Sequence, residues 1–98
     1  MDTAKLSKIL KALSNKTRLE LYLQIAQKNE AGFETDNECF ISDIVGSLKI
    51  GAPTVSHHLK ELSNADLITT DRRGKFLIAK INKETIREAN KILSLNLK

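Results

Sequence analysis

Two adjacent histidines, His57 and His58, offer the widest choice of side-chain chemistry in this sequence. Imidazoles bind transition metals, transfer protons near neutral pH and form hydrogen bonds with DNA. Two helical histidines that share a zinc ion are typically four residues apart, because adjacent helical residues do not face each other. The chain contains only these two histidines. The spacing therefore predicts no metal site formed by the pair.

The other residues capable of chemistry are one cysteine and two carboxylates. Cys39 is the single cysteine, and a lone thiol is a poor soft-metal site. We interpret it as a small buried apolar residue, with a redox or alkylation switch as the alternative. Glu84 and Glu88 are interpreted as surface charge, with a hard-cation site as the alternative. The sequence has no glycine-rich phosphate loop, metal constellation or nucleophile–base pair, so we predict no catalytic residues, no cofactor and no enzyme.

The net charge of +4 lies in the C-terminal half of the sequence. Residues 1–53 contain seven basic and seven acidic residues, whereas residues 54–98 contain nine and five. A basic half in a small protein predicts an anionic partner, nucleic acid before membrane. No apolar run reaches the roughly 18 residues of a membrane helix, and no signal peptide opens the sequence. We therefore expect a cytoplasmic protein with one domain over residues 1–98.

Hydrophobic spacing and turn residues predict the order α-α-(short β)-α-α-β-β-α. That order defines a mainly α fold with a small β-hairpin (α+β), the winged helix-turn-helix. The predicted segments are a helix over 4–13, a helix capped by Asn15 and ending near residue 28, an acidic loop over 29–38, an extended stretch over 39–41, a short helix capped by Ser42, a helix over 52–65 with Pro53 in its first turn, strands over 67–73 and 75–82, and a last helix from Lys83.

Each predicted helix carries an apolar stripe at helical spacing. On the fourth helix the stripe is Val55, Leu59 and Leu62, since successive residues turn by about 100°. His57 lies opposite this stripe, whereas His58 lies at its edge, where we expect it half-buried and hydrogen-bonded. The other stripes are Leu6, Ile9, Leu10 and Leu13 in the first helix, Leu19, Tyr22, Leu23 and Ala26 in the second, Ile44, Val45 and Leu48 in the third, and Ile86, Ala89, Ile92 and Leu93 in the fifth.

The outward side of the fourth helix is small, polar and basic. Short hydroxyl side chains let a helix approach a major groove closely, and hydrogen-bond donors reach base edges and phosphates. We therefore predict a DNA interface; the alternative is that the same basic face docks an acidic protein. The predicted set is Pro53, Thr54, Ser56, His57 and Lys60 on the helix, flanked by Lys49, Arg72, Arg73 and Lys75.

Three stretches resemble the arsenic-repressor (ArsR/SmtB-type) family of winged-helix regulators. They are ALSNKTRLELYLQI over 12–25, TVSHHLKELSNADLI over 54–68 and the RRGKF segment of the hairpin. The resemblance covers roughly residues 8–82 and implies a homodimeric repressor that leaves a palindromic operator when an effector binds. It also assigns recognition-helix contacts to Thr54, Ser56 and His57, and the tip of the wing to Arg73, Gly74 and Lys75.

The resemblance also implies a dimer built from the first and last helices. Their apolar side chains exceed what so small a domain covers alone. A twofold dimer would present two recognition helices to half-sites about one helical turn apart. The predicted interface is Leu6, Ile9, Leu10, Leu13, Ile86, Ile92 and Leu93.

Two departures from the family concern its effectors. Metal-sensing members often carry C-x-C-D at the third helix, where this chain has C-F-I-S-D over 39–43. The last helix, NKETIREANKIL, contains no histidine or cysteine. We therefore predict no metal at the family's usual positions, and the effector stays unknown. The acidic loop over 29–38 is interpreted as a surface insertion, with an effector or partner site as the alternative.

Overall fold

The computed structural model describes residues 1–31, 39–48 and 50–94. The predicted element order and the winged helix-turn-helix fold are confirmed. The acidic segment 32–38, Lys49 and the side chain of Cys39 lie outside the described part of the chain. The elements are α1 (Thr3–Leu13), α2 (Lys16–Ala31), β1 (Cys39–Phe40), α3 (Ser42–Leu48), α4 (Ala52–Asn64), β2 (Ile68–Arg73), β3 (Phe76–Ile81) and α5 (Lys83–Ser94).

The three strands form one antiparallel sheet in the order β1-β3-β2. Strands β2 and β3 pair in register from Ile68↔Ile81 to Arg73↔Phe76. The turn between them contains Gly74 at φ 62°, a left-handed conformation that glycine adopts without steric cost. Strand β1 pairs with β3 at Cys39↔Ala79 and leads directly into α3. The hairpin is therefore fixed to the start of the helix-turn-helix.

The starts of α1 and α2 are fixed by short polar side chains. Asn15 caps α2 as predicted, because its Oδ1 accepts from the backbone N–H of Arg18 at 2.9 Å. Asp2 caps α1 in the same way, accepting from the N–H of Lys5 at 2.8 Å, and the prediction missed this cap. Ser42, predicted as a cap, is instead the first residue of α3. These caps satisfy backbone donors that have no partner within the first turn.

The buried side of α2 differs from the predicted stripe. Leu21 and Ile25 are fully buried, whereas Leu23, predicted to be buried, is 54% exposed. Apolar residues occur on nearly every side of α2, and the helix packs against α1, α3, α4 and the sheet. Periodicity could not select the buried side of such a helix, because several stripes compete. The prediction for Leu23 was therefore wrong.

Asn29 lies inside α2 and not in the predicted loop, because the helix continues to Ala31. Its buried side chain accepts from the backbone N–H of Ile81 at 2.8 Å and donates to the carbonyl of Ala79 at 3.4 Å. These groups lie along β3, next to the end of its pairing with β1. Asn29 thus satisfies backbone groups of the hairpin and holds it against α2.

The C-terminal end of α4 closes in a Schellman motif. The N–H of Leu67 donates to the carbonyl of Leu62, and the N–H of Asp66 donates to that of Ser63, both at 3.0 Å. Asp66 adopts φ 59°, the left-handed conformation that this motif requires. Its carboxylate also pairs with Lys5 Nζ of α1 at 3.0 Å. Leu62 and Leu67 are both fully buried beneath the motif.

Candidate nucleic-acid interface

Helix α4 is held by the apolar stripe that the sequence predicted. Val55, Leu59 and Leu62 are buried in the core, against which α2, α1 and the hairpin pack. Burying three such side chains stabilises the helix position by several kcal/mol, at about 1.5–3 kcal/mol each. The opposite side of α4 therefore points away from the protein.

That outward side contains the helical residues predicted to bind DNA. Pro53, Thr54, Ser56, His57 and Lys60 are all exposed. Gly51 precedes the helix at φ −71° and ψ 155°, and no side chain caps the first turn. The first turn thus combines small or rigid residues with backbone N–H groups that the N-cap side chain does not satisfy, which lets another molecule approach the helix backbone closely.

His58 points to the opposite side and is 6% exposed, more buried than the predicted half-buried position. Arg18 Nε of α2 donates to His58 Nδ1 at 3.4 Å, and Arg18 Nη1 donates to the carbonyl of Ala12 at 3.2 Å. Arg18 therefore connects α4 with α2 and with the end of α1. The partner is 40 residues away in sequence, so no local pattern could have identified it.

The surroundings of His58 favour the neutral form of its imidazole. Burial lowers the pKa of the His58 imidazole below its ordinary value, and the charges of Arg18 and His57 lower it further. The geometry agrees with this direction, because Nδ1 accepts a hydrogen bond from Arg18 and so carries no proton. The neutral form is thus the one that joins α4 to α2.

The surroundings of the two imidazoles are unfavourable for a metal ion on the Nδ1 side of His58. Their ring centroids are 5.9 Å apart with planes tilted by 49°, and the Arg18 guanidinium occupies the Nδ1 side of His58. A guanidinium repels a metal cation, and five donors without an acceptor give it no ligand capacity. Within residues 1–31, 39–48 and 50–94, no three His, Cys, Asp or Glu side chains cluster as metal ligands.

The wing (residues 72–75) lies at the tip of the hairpin and is exposed throughout. Arg73 Nε lies 3.7 Å from Asp71 Oδ2, and Lys75 Nζ lies 5.6 Å from the ring centroid of Phe76. Phe76 in turn meets Phe40 edge to face, with ring centroids 5.7 Å apart. The aromatic pair supports the end of the hairpin that carries the basic side chains.

A groove between α4 and the hairpin contains polar residues that the sequence analysis did not single out. Its volume is about 270 Å³. Ser63 could have been found by helical spacing, since it follows Ser56 and Lys60 on the same side of α4. The position of Thr70 in this groove could be found only from the folded structure, because Thr70 belongs to β2. The lining residues are Ser56, Leu59, Lys60, Ser63, Asn64, Thr70 and Leu77.

The predicted dimer residues divide into buried and exposed groups. Ile9 is 2% exposed and lies in the protomer's own core, and Leu6 is also buried, so these two leave little surface for a partner. Leu10 and Leu93 are about half exposed, at 47% and 48%. Leu13, Ile86 and Ile92 are partly buried. Leu10 and Leu93 are therefore the most exposed of the seven predicted interface residues.

Comparison with known proteins assigns the family. The sequence model of the bacterial regulatory protein arsR family matches residues 34–70. The arsenical resistance operon repressor of Staphylococcus xylosus is 30% identical over 95 residues, which are 97% of this chain and 83% of that protein. The chain belongs to the arsR family of bacterial regulatory proteins. It is a DNA-binding transcriptional regulator, and its family is not one of enzymes.

Solved structures share the fold of this ArsR-family chain. An ArsR-like transcriptional regulator from Rhodococcus sp. RHA1 superposes with a TM-score of 0.74 at 17% identity, covering 94% of this chain and 78% of that one. A homodimeric winged helix-turn-helix DNA-binding domain from Mycobacterium bovis gives 0.69 at 20% identity, covering 98% and 84%. In the described part of this chain, no helix is long and apolar enough to cross a membrane.

Proposed function

We propose that this ArsR-family regulator is a homodimeric repressor that binds a palindromic operator through helix 52–65 and the wing. One observation carries the proposal: the stripe of Val55, Leu59 and Leu62 is buried, so His57 and the first turn of α4 point outward. A helix presented in this way suits the major groove of B-DNA, which admits one α-helix.

Charge supports DNA as the partner of this face. Lys60 on α4 and the three cations of the wing are exposed. Phosphate contacts of this kind supply most of the affinity and position the protein, whereas base contacts supply sequence preference. We assign base contact to His57, Thr54 and Ser56, and phosphate contact to the wing.

Self-association completes the proposal. Exposed Leu10 of α1 and Leu93 of α5, with the partly buried Leu13, Ile86 and Ile92, offer an apolar surface on the first and last helices. The Mycobacterium bovis domain is described as homodimeric, and the Staphylococcus xylosus relative as a repressor. A twofold dimer would place its two α4 helices about 34 Å apart, matching half-sites one turn apart.

A duplex selected from a random pool by the purified protein tests the proposal. We expect an enriched palindrome that outcompetes random duplex, with log affinity falling by about 0.9 per phosphate contact for each unit of log salt. Arg73→Ala or Lys75→Ala should weaken binding to both duplexes alike and reduce that slope by about one. Affinity for duplex that does not respond to salt would favour docking to an acidic protein instead.

Sedimentation of the same protein tests the dimer. We expect a dimer at micromolar concentration, and Leu10→Asp with Leu93→Asp should convert it to a monomer that binds the palindrome more weakly. A wild-type monomer that binds the palindrome fully would contradict the homodimer.

We further propose that the protein acts in the cytoplasm, where a bacterial regulator meets DNA. We also propose that its effector is not a metal held by two thiolates of one chain, since Cys39 is the single cysteine.

A further inference from the structure

The groove between α4 and the hairpin combines hydroxyl groups with a cation, Lys60. Ser56, Lys60 and Ser63 share one flank of α4, at helical spacings of four and three residues. Thr70 of β2 faces them across the groove, and Leu59 and Leu77 complete the lining. A volume of about 270 Å³ is that of several water molecules at about 30 Å³ each. A phosphate group therefore fits.

The register of the hairpin places a second cation on the same face of the sheet as the residues that line this groove. Arg72 lies two residues after Thr70 and directly opposite Leu77, so all three side chains belong to the same face. Among residues 1–31, 39–48 and 50–94, neither Lys60 nor Arg72 forms an ion pair. Both cations are therefore available to an anion from outside.

Acidic side chains point away from the groove. Asp71 lies between Thr70 and Arg72 in sequence, so it occupies the other face of β2, where it pairs with Arg73. Glu61 follows Lys60 but lies on the opposite flank of α4. Among the described residues, no carboxylate lines the groove. The local charge is thus positive, as an oxyanion requires.

The position of the groove identifies the anion as part of DNA. A helix of about 10–12 Å diameter nearly fills a major groove about 12 Å wide, so the flanks of the helix meet the phosphodiester backbone that forms the groove walls. The Ser56–Ser63 flank of α4 is the one that faces the hairpin. Backbone passing along this flank would run between α4 and β2.

We propose that this groove binds one phosphodiester of the operator, with the hydroxyls of Ser63 and Thr70 and the ammonium of Lys60 donating to its oxygens. The proposal rests on the proposed function, since it requires α4 in the major groove. Hydrogen bonds from neutral hydroxyls to a charged phosphate are stronger than those between neutral groups, and they fix orientation without reading sequence. The groove therefore sets how deeply α4 enters the DNA.

Single substitutions test the hydroxyls. Thr70→Val and Ser63→Ala should each weaken binding about threefold to tenfold, equally for the selected palindrome and for random duplex. Thr69→Val is the matched control, because Thr69 is exposed on the other face of the same strand. It should bind DNA as the wild type does. Melting temperatures of the three variants should stay close together, which separates lost contacts from misfolding.

Substitution on the DNA side locates the phosphate. Each phosphate of one half-site is replaced in turn by a neutral methylphosphonate, and binding of wild type is compared with that of Thr70→Val. We expect one phosphate whose replacement lowers the DNA affinity of wild type about tenfold. The same replacement should lower the affinity of Thr70→Val much less, because that variant has already lost the contact with this phosphate. If the two proteins respond alike at every phosphate, the proposed contact is wrong.

Three further outcomes would overturn this proposal, and they differ in what they imply for the proposed function. If Thr70→Val and Ser63→Ala bind like Thr69→Val while Arg73→Ala binds weakly, the groove proposal fails and the proposed function stands. If wild type itself binds no duplex, both fail. Inorganic phosphate at millimolar concentration should cause no saturable shift in the amide resonances of Ser63 and Thr70. A saturable shift without any effect of the variants on DNA affinity would make the groove a site for a free anion and overturn the proposal.

Discussion

The two ends of α4 are built in opposite ways. At its C-terminal end, Leu62 and Leu67 are fully buried, and Asp66 closes the helix and pairs with Lys5 of α1. At its N-terminal end, Gly51 provides no side-chain cap, and Ala52, Pro53 and Thr54 are exposed. We call these the anchored end and the presented end.

The contrast shows how a small domain presents a helix to another molecule. The anchored end fixes the direction of α4 through core packing, the Schellman motif and the ion pair between Asp66 and Lys5 of α1. The presented end leaves backbone donors and small side chains available, and it gives up the stability that a side-chain cap would add. Substitutions of the buried residues at the anchored end should therefore change folding, and substitutions of the exposed residues at the presented end should change DNA binding.

Leu62→Ala at the anchored end should have the largest effect on folding. Leu62 is 0% exposed, so truncation leaves a cavity and should cost about 2–5 kcal/mol of unfolding free energy. Chemical denaturation measures this directly. Leu23→Ala is the matched control, because the same change at an exposed leucine should cost less than about 1 kcal/mol. Equal losses in the two variants would contradict the assignment of the anchored end.

Asp66 tests the closing turn of the helix. Its φ of 59° is costly for a residue with a Cβ, so Asp66→Gly should be more stable than Asp66→Ala by about 1 kcal/mol. Both variants lose the ion pair with Lys5 equally, so their difference isolates the backbone conformation. Thermal unfolding of the pair measures the difference. A more stable alanine variant would mean that the turn has another conformation.

Stability should depend on pH through His58. Its folded-state pKa is lowered, chiefly by burial, so the unfolded chain takes up a proton first as pH falls below about 6.5. Unfolding free energy should therefore be fully retained above that pH and decline below it. His58→Gln should flatten this decline, whereas His57→Ala should keep most of it, because burial lowers the pKa of His58 more than the charge of His57 does. A decline of unchanged slope in His58→Gln would show that other groups cause it.

Gly51 at the presented end should give the smallest change in stability. A Cβ there would lie 3.7 Å from Pro53 Cδ, an ordinary contact, and the backbone conformation suits any residue. Gly51→Ser and Gly51→Asp should each stabilise the protein by a few tenths of a kcal/mol through a new cap. Only Gly51→Asp should weaken DNA binding, because its charge faces phosphates. Equal DNA affinity of the two variants would mean that the presented end does not lie next to the phosphodiester backbone of the DNA.

Sequence periodicity predicted α4 well and α2 poorly, for one physical reason. Helix α4 has a single apolar stripe, so Val55, Leu59 and Leu62 could be assigned to the core and His57 to the surface. Helix α2 is packed on several sides, and its apolar residues surround it, so Leu23 was misplaced. The element order could be read because the apolar spacing of the helices and the local signals at Asn15, Pro53 and the Gly74 turn mark most of the elements.

Contacts between distant residues could not be predicted in the same way. The sequence predicts Asn29 in a loop, because polar side chains favour turns. In the structure its side chain is buried and forms hydrogen bonds with the backbone of β3, which is brought next to it only by folding. Arg18, which binds His58, belongs to α2, and Thr70, which faces Ser63, belongs to β2. The outward face of α4 was therefore predictable, whereas the interactions that fix its angle were not.

Affinity of His57→Ala for the selected palindrome tests the central claim most directly, with melting temperature recorded on the same sample. We predict a loss of about 1–3 kcal/mol of binding free energy if the imidazole contacts a base edge, and an unchanged melting temperature, because the ring is exposed. His58→Ala should show the reverse, a lower melting temperature with DNA affinity affected only through folding. If His57→Ala binds the palindrome like wild type while folded His58→Ala binds weakly, the outward face has been assigned to the wrong histidine and the account is contradicted.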